Sequence, residues 1–162
     1  MGSTGTTMVS HDISELVTFW IGGCLFGVDI CKVQEIDKVR QWTPVPQADP
    51  HVLGILSLRG SIVTIMDLAA KLGLCPTKLS HDSRIVIISA DGRCAGFVAD
   101  QIGPVMSMPS DQICPVPANV RPEQARFMEG IFQAQPHLVS ILRAEAIIED
   151  TKGQDTATEA GI

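Results

Sequence analysis

The residues able to act as nucleophiles or to bind a metal ion are scattered along this chain. Zinc sites and Cys–His nucleophile pairs use cysteine and histidine, and zinc ligands recur at short, regular spacing. The sequence has neither a CxxC pair nor an HExxH motif. The residues concerned are Cys24, Cys31, Cys75, Cys94, Cys114, His11, His51, His81 and His137. Their spacing predicts no metal site, and we interpret the cysteines as reduced thiols buried as small hydrophobic side chains.

Other catalytic signatures are also missing from the sequence. No serine lies in a GxSxG elbow, and no P-loop is present. The aromatic fraction is 4% with no tyrosine, which is a poor basis for stacking single-stranded nucleic acid. These observations favour a binding module over an enzyme, so we assign no catalytic residue and no cofactor.

The charge balance narrows the class of partner. The chain has 162 residues, with 12 Lys and Arg against 18 Asp and Glu, which gives a net charge of −6. A nucleic acid is a poor main partner for such a chain, because phosphate neutralisation needs a basic face. No apolar run approaches the roughly 18 residues of a membrane-spanning helix. We expect a cytoplasmic protein.

An internal repeat divides the chain into two halves, about 16–80 and 84–150. The pairs of matching segments are Gly23 and Gly27 with Gly92 and Gly96, Pro44–Pro46 with Pro115–Pro117, Gly54–Leu56 with Gly130–Phe132, and Ile62–Met66 with Leu138–Leu142. The offset between partners is 69 residues for the first pair, 71 for the second and 76 for the last two. Because the order is kept and the offset only grows, we interpret the halves as related copies.

Short strands separated by turns dominate each half. Hairpins are predicted around Gly22-Gly23, Arg59-Gly60 and Asp91-Gly92, and further strands over 33–39 and 102–108. Helix is predicted only as short segments, at 68–72, 122–126 and 144–148. Five strands in a half can close into a small barrel, which removes exposed strand edges. The sequence therefore predicts an all-β fold of two five-stranded barrels, one from each half, packed on a shared hydrophobic core.

The two termini are predicted to lie outside this fold. Residues 1–15 form a polar segment rich in Thr, Ser and Gly, and residues 151–162 lack hydrophobic periodicity. Neither segment has enough apolar surface to offset the entropy of ordering. We expect a disordered N-terminal tail, a domain over 16–150 and a flexible C-terminal tail.

A carboxylate and a guanidinium distinguish the first half from the second. Glu35 and Arg59 have Pro104 and Gln135 at the corresponding positions of the second copy. Both charges are flanked by apolar residues, namely Val33, Ile36, Leu58 and Ile62. An exposed ion pair contributes only about 0–1 kcal/mol, so stability is a poor reason for its presence. An arginine at a hairpin tip among apolar residues fits an interface anchor, although two ordinary solvated charges would give the same pattern.

Several motifs of the chain resemble the CheW family of chemotaxis coupling proteins. The motifs are Phe26-Gly27-Val28-Asp29-Ile30, Lys32-Val33-Gln34-Glu35-Ile36, the stretch Gly54 to Val63 containing Leu58-Arg59-Gly60, Asp67-Leu68, Asp111 to Pro115 and Phe127-Met128-Glu129-Gly130-Ile131. The chain departs from the family at Ser57, where an asparagine is usual, and at Cys114. The resemblance covers about residues 16–149.

The resemblance implies a fold, a function and partners. The fold is two SH3-like five-stranded β-barrels around a common core. The function is that of a non-catalytic adaptor, which couples methyl-accepting chemoreceptors to the chemotaxis histidine kinase. The partners are the cytoplasmic tip of the receptors and the regulatory domain of the kinase. The protein would be cytoplasmic and recruited to membrane-associated receptor arrays.

The resemblance also implies a receptor-binding set. Its members are Val33, Glu35, Ile36, Gly54, Arg59, Ile62, Gly96, Ile102 and Val105. The apolar members Val33, Ile36, Ile62, Ile102 and Val105 would form the floor of a groove between the barrels, with the charged pair beside it. No kinase-contact residue is assigned.

Three other readings of the sequence stay open. The first is a CheW-like coupling protein of a paralogous pathway, such as surface sensing or twitching motility. The second is a small-barrel binding module of another kind, including a nucleic-acid binder, which the charge opposes. The third is a cysteine-dependent enzyme that uses Cys31 or Cys94.

Overall fold

Strands dominate the structure, a computed structural model that describes residues 13–149. The strands are β1 (Ile13–Ile21), β2 (Cys24–Asp29), β3 (Val33–Lys38), β4 (Val52–Leu58), β5 (Ser61–Met66), β6 (Arg84–Ala90), β7 (Arg93–Ala99), β8 (Gln101–Pro109), β9 (Ile113–Cys114), β10 (Met128–Ala134) and β11 (His137–Leu142). The helices are α1 (Leu68–Lys71), α2 (Pro122–Ala125) and α3 (144–149). Short 3-10 turns cover Ile30–Lys32 and Ser110–Gln112.

The observed elements lie where the sequence patterns predict them. Three hairpins turn at Gly22-Gly23, Arg59-Gly60 and Asp91-Gly92, where both residues have positive φ, as two-residue turns with the right twist require. The Asp67 carboxylate accepts a hydrogen bond from the Ala70 amide and caps α1. Strand β1 begins at Ile13, three residues before the predicted start of the domain. The rest of the predicted tails lies outside the described residues.

Two sheets are formed, and each takes strands from both halves of the chain. The first sheet has the order β8-β1-β2-β11-β10-β9 and the second the order β3-β6-β7-β5-β4. Parallel pairing joins the halves, with Ile141 beside Gly27 in one sheet and Ile65 beside Gly96 in the other. Ile141 follows Ile65 by 76 residues, and Gly96 follows Gly27 by 69 residues, which are the predicted offsets of the repeat. The repeat is therefore present in the sheet pairing itself.

The assignment of one barrel to each half is wrong. The chain leaves the first sheet after β2 through the turn Ile30–Lys32, and β3 begins in the second sheet. It returns after β7 through the single residue Asp100, and β8 begins in the first sheet. Asp100 is fixed at this crossing, because its carboxylate accepts from the Gly22 amide at 2.9 Å and its own amide donates to the Trp20 carbonyl at 2.8 Å. Each half thus contributes a hairpin to the other half's sheet.

Three buried clusters fill the spaces that the two sheets create. One cluster belongs to the first sheet: Leu16, Leu25, Met108, Phe132, Val139 and Ile141. A second belongs to the second sheet: Leu56, Val63, Ile65, Ile85, Ile87 and Val98. The third and largest takes residues from both, including Phe19, Phe26, Phe97 and Phe127. Alternation along β6 sends Ile85 and Ile87 to one cluster and Val86 and Ile88 to another, so both faces of this apolar strand are buried.

The predicted fold class is confirmed, whereas the predicted burial of the cysteines is wrong. Two sheets with their own clusters and one shared core match the two-barrel prediction. The second sheet has the five strands predicted, whereas the first has six, because the two-residue strand β9 pairs with β10. The four exposed cysteines are Cys24, Cys31, Cys75 and Cys114. They lie at strand ends, in the 3-10 turn or in the segment after α1, where no alternating pattern turns them inward. Cys94 is half-buried, and its thiol donates to the Gln34 side-chain oxygen at 2.9 Å.

No helix within residues 13–149 is long and apolar enough to cross a lipid bilayer.

Helix α3 is held by ion pairs as well as by apolar packing. Ile147 and Ile148 are buried in the shared core. The Lys32 ammonium lies 2.9 Å from the Glu145 carboxylate. Their hydrogen bond, followed by their mutual attraction, raises the pKa of Lys32, and the same hydrogen bond lowers the pKa of Glu145. Both carboxyl and amine are charged at neutral pH, so the pair joins α3 to the 3-10 turn after β2.

Replacing Lys32 should change how stability depends on pH. The lowered pKa of Glu145 means that its contribution is present above the ordinary carboxyl pKa and is lost as pH falls through the lowered value. The raised pKa of Lys32 keeps its own contribution intact below the ordinary lysine pKa. We therefore expect Lys32→Gln to lower the free energy of unfolding near pH 7 and to have a smaller effect near pH 3, measured by urea denaturation.

The exposed Lys78 supplies a matched control for this test. Lys78→Gln removes the same charge without touching α3, so its effect should stay small at both pH values. A Lys32→Gln effect that is equal at pH 7 and pH 3 would show that the pair with Glu145 does not contribute.

Candidate functional site

Glu35 and Arg59 come together at the open side of the second sheet. Glu35 lies on β3 and Arg59 on the turn between β4 and β5. The Arg59 Nε atom is 3.7 Å from the Glu35 Oε1 atom. Since β3 is one edge of this sheet and Arg59 directly follows the other edge, β4, the ion pair links the two edges of the sheet. The prediction that the two charges lie together is confirmed.

A bulge in β3 sets the direction of the Glu35 side chain. The register of β3 against β6 shifts between Val33 and Glu35, so that Val33 pairs with Ile88 and Glu35 with Ile87. Paired residues of antiparallel strands project from the same face. Glu35 therefore shares the face of Ile87, toward the interior of the barrel, and its side chain is 19% exposed. A bulge commonly redirects one side chain in this way.

Arg59 occupies a backbone conformation that arginine rarely adopts. Its φ is +52°, and that of the next residue, Gly60, is +84°. Such a two-residue turn favours Asn, Asp or Gly at its first position, so arginine has a conformational cost here. Its side chain is 81% exposed, and an ion pair in this setting is weak. The turn thus presents a guanidinium to solvent at some cost to the fold, which is typical of a binding role.

The five predicted apolar residues all project away from the interior of their own barrel. On β3, Val33 packs against the shared core, and Ile36 pairs with the core residue Val86. On β8, Ile102 packs against the shared core, and Val105 pairs with the core residue Val17. Ile62 on β5 pairs with the exposed Ser57. The exposed members are Ile36 at 39%, Val105 at 54% and Ile62 at 69%.

The charged pair and the apolar residues therefore do not share one face. Glu35 points into the barrel opening, whereas Ile36, its neighbour on β3, projects from the opposite face. Ile36 and Ile62 belong to the second sheet and Val105 to the first. Strand positions place Val33 and Ile102 at the shared core, which agrees with a seam between the barrels.

Gly54 and Gly96 are packing positions rather than surface positions. Both are buried. A Cβ atom at Gly54 would lie 2.5 Å from the Thr43 carbonyl oxygen, which pairs with Ile55 of the same strand. A Cβ atom at Gly96 would lie 2.6 Å from the Cδ1 atom of Ile65. Both glycines thus allow the close packing of β4 and β7 and present no side chain at the surface.

Leu138 is an exposed apolar residue that the sequence reasoning did not select. It lies on β11 with an exposure of 59%, 76 residues after Ile62. Val105 stands in the same relation to Ile36, at an offset of 69 residues. Each copy of the repeat thus has two exposed apolar residues, which we call its outer apolar pair. The pair is Ile36 and Ile62 in the first copy and Val105 and Leu138 in the second. The offset that revealed the repeat was the signal that would have found Leu138.

The site carries groups that can bind a partner surface. Within residues 13–149 no group of three or more His, Cys, Asp and Glu side chains is placed to hold a metal ion. What the site does offer is one exposed guanidinium, one carboxylate and exposed branched side chains on a rigid sheet. Such a set suits recognition of a partner surface with apolar and charged groups.

Comparison with known proteins identifies the family. The CheW-like domain matches residues 15–152. This chain belongs to the CheW family. The resemblance noted in the sequence is therefore confirmed over nearly the whole described domain, and so is the fold that it implied. The CheW-like domain of this chain therefore contains the two sheets and the Glu35–Arg59 pair described above.

Individual relatives agree with this family and its function. The chain is 29% identical to a probable chemotaxis protein CheW of Rhizobium etli, over 86% of the chain and 90% of that protein. It superposes with a TM-score of 0.74 on the crystal structure of the scaffolding protein TtCheW from Thermoanaerobacter tengcongensis, at 31% identity over 80% of this chain and 84% of that one. It is also 28% identical to Protein PilI of Pseudomonas aeruginosa, over 76% of the chain and 70% of that protein. The predicted function, a coupling adaptor of chemotaxis, is supported by these findings.

A side chain at position 54 should destabilise this CheW-like domain, because it would collide with the Thr43 carbonyl oxygen. Because the Thr43 carbonyl is part of the backbone and cannot move aside freely, Gly54→Ala should lower the free energy of unfolding by about 1–3 kcal/mol. Ser57→Ala, on an exposed position of the same strand, should change it by less than about 0.5 kcal/mol. Urea denaturation at pH 7 measures both. Equal stability of the two variants would contradict the close approach of β4 to residue 43.

Proposed function

We propose that this chain couples a chemoreceptor to the chemotaxis histidine kinase by binding both without catalysing a reaction. The cytoplasmic tip of a methyl-accepting chemoreceptor binds around the Glu35–Arg59 pair and the apolar residues on the outer faces of β3, β5 and β8. The regulatory domain of the kinase binds elsewhere on the same chain. The protein works in the cytoplasm, at membrane-associated receptor arrays. Membership of the CheW family supports this assignment.

The difference between the two copies of the repeat carries the proposal. Both copies expose an apolar pair, but only the first adds a carboxylate and a guanidinium. In the second copy Pro104 takes the place of Glu35 and Gln135 that of Arg59. Since the fold forms both copies without the charges in one of them, the charges are not needed to close a barrel. Recognition of a partner is the role that remains for them.

A helical receptor tip suits this surface chemically. An amphipathic helix places apolar side chains at intervals of three and four residues along one face. Ile36 and Ile62 supply apolar contacts on the outer face of the second sheet. Arg59 lies at the exposed hairpin tip, three residues before Ile62, and its guanidinium pairs with an acidic side chain of a helix on that face. Glu35 holds the guanidinium from behind, because it is 19% exposed and lies 3.7 Å from it. Glu35 is thus proposed to orient Arg59, which makes the direct contact.

Reversing the charge of Arg59 tests the receptor surface. Arg59→Glu should reduce binding to a purified receptor tip by at least about tenfold, because it replaces the cation with an anion beside Glu35. Binding to the kinase regulatory domain and the far-ultraviolet circular dichroism spectrum should stay unchanged. Calorimetric titration measures both affinities. Unchanged receptor binding would show that the surface is assigned wrongly.

Arg59→Asn separates loss of charge from damage to the turn. Asparagine tolerates the positive φ of this position, so the hairpin between β4 and β5 is retained. Receptor binding should fall in Arg59→Asn as well, though by less than in Arg59→Glu. A normal affinity in Arg59→Asn would mean that Arg59→Glu acts through repulsion alone.

The repeat supplies a matched pair for testing the apolar contacts. Ile62 and Leu138 occupy equivalent positions and are exposed to similar extents, at 69% and 59%. Ile62→Ser should weaken receptor binding by about tenfold, whereas Leu138→Ser should leave it within about twofold. Both variants should unfold within about 0.5 kcal/mol of the parent, since neither side chain is buried. A receptor affinity that depends on Leu138 and not on Ile62 would place the receptor on the second copy.

A paralogous pathway is the second candidate function. The similarity to Protein PilI favours it, although that match covers less of both chains than the match to the Rhizobium etli protein. We prefer chemotaxis for this reason. Co-precipitation from the source cell, followed by identification of the captured receptor and kinase, distinguishes the two pathways.

A further inference from the structure

A cavity of about 320 Å³ with cationic walls lies between α1 and α2. Lys71, Arg121 and Arg126 line it, with Glu123 as the carboxylate among its lining residues. The whole chain has only 12 Lys and Arg and a net charge of −6, so three cations around one cavity go against the charge of the molecule. None of the residues proposed to bind the receptor lines this cavity.

His51, which lines the cavity, differs from the residue at the equivalent position of the second copy. The Asp67 amide donates to the His51 carbonyl at 2.7 Å, and the Arg143 amide donates to the Phe127 carbonyl at 2.8 Å. Arg143 follows Asp67 by 76 positions, and Phe127 follows His51 by 76 positions. His51 and Phe127 are therefore equivalent in the fold. Phe127 is completely buried in the shared core. His51 instead lines the cavity.

The His51 imidazole has a buried polar atom that makes no hydrogen bond with the described residues. That atom is Nδ1. A buried nitrogen without a partner is costly, and the equivalent phenylalanine shows that the fold accepts a purely apolar ring here. The packing of the domain therefore does not require an imidazole at position 51.

Two contacts within the domain hold parts of the cavity wall in place. The Gln124 side-chain amide donates a hydrogen bond to the Leu72 carbonyl, which joins α2 to the end of α1. The Arg126 guanidinium stacks on the Phe127 ring, 4.4 Å from its centroid. The Phe127 ring is itself completely buried in the core. Preformed walls lower the entropic cost of binding a small ligand.

We propose that this cavity binds a small polyvalent oxyanion of the phosphate class. Guanidinium groups match the geometry of phosphate oxygens with paired N–H donors, and Arg121 and Arg126 both line the cavity. The imidazole of His51 also lines the cavity and adds a polar ring to its wall. The volume is at the lower end of the range for ligand pockets, which fits one or two phosphate groups and excludes a folded partner.

Inorganic pyrophosphate is a suitable probe of this site. In calorimetric titration of the whole chain, we expect saturable binding with one site per chain. Arg121→Gln should weaken it about ten- to hundredfold, through loss of charge-assisted hydrogen bonds. Lys78→Gln removes the same charge from an exposed position that does not line the cavity, and should change the affinity by less than about twofold.

His51→Phe is a second variant that protects the test from misfolding. It introduces the residue that the equivalent position of the second copy already has, so the domain should stay folded, as thermal unfolding will show. Pyrophosphate binding should fall several-fold, because an apolar ring replaces the polar imidazole in the cavity wall. Absence of saturable binding, equal loss in Arg121→Gln and Lys78→Gln, or tight binding of citrate without binding of pyrophosphate would overturn the proposal.

Discussion

The contact between Phe19 and Phe97 in the shared core is the constraint on which the two-barrel arrangement depends. Their ring centroids are 5.0 Å apart, and one ring comes from each half of the chain. Both rings are completely buried, in a cluster that takes side chains from both sheets. Burial of a large apolar side chain contributes about 1.5–3 kcal/mol. Because each sheet also takes a hairpin from the other half, neither barrel can form fully before both halves are present.

The repeat lets one scaffold carry two different surfaces. Sheet pairing and the buried clusters need similar residues in both copies, which is why the glycine and branched-residue motifs recur. Positions that the scaffold does not restrict have diverged, and Glu35 against Pro104 is one example. His51 against Phe127 is another, on a different side of the fold. Divergence between equivalent positions is therefore a physical guide to function where the surrounding structure is the same.

A rigid connection between surfaces is what an adaptor requires. β3 and β8, which bear the outer apolar residues of the two copies, each pack against the shared core through Val33 and Ile102. The outer faces of both copies therefore rest on the same core. The proposed recognition groups lie at the strand edge and the hairpin tip, where their replacement leaves this core intact. The scaffold and the recognition surface can accordingly vary independently.

The sequence by itself determined the strands, their turns, the repeat and the family, because these depend on local spacing. Alternation of apolar residues, Gly-containing turns and the recurring offset are readable without knowledge of contacts. The proximity of Glu35 and Arg59 also followed, through the family resemblance. Only the tertiary structure decided which sheet each strand joins, because edge pairing is satisfied equally well by either half. It likewise decided the exposure of the cysteines and the cavity beside His51, since both depend on neighbours distant in the chain.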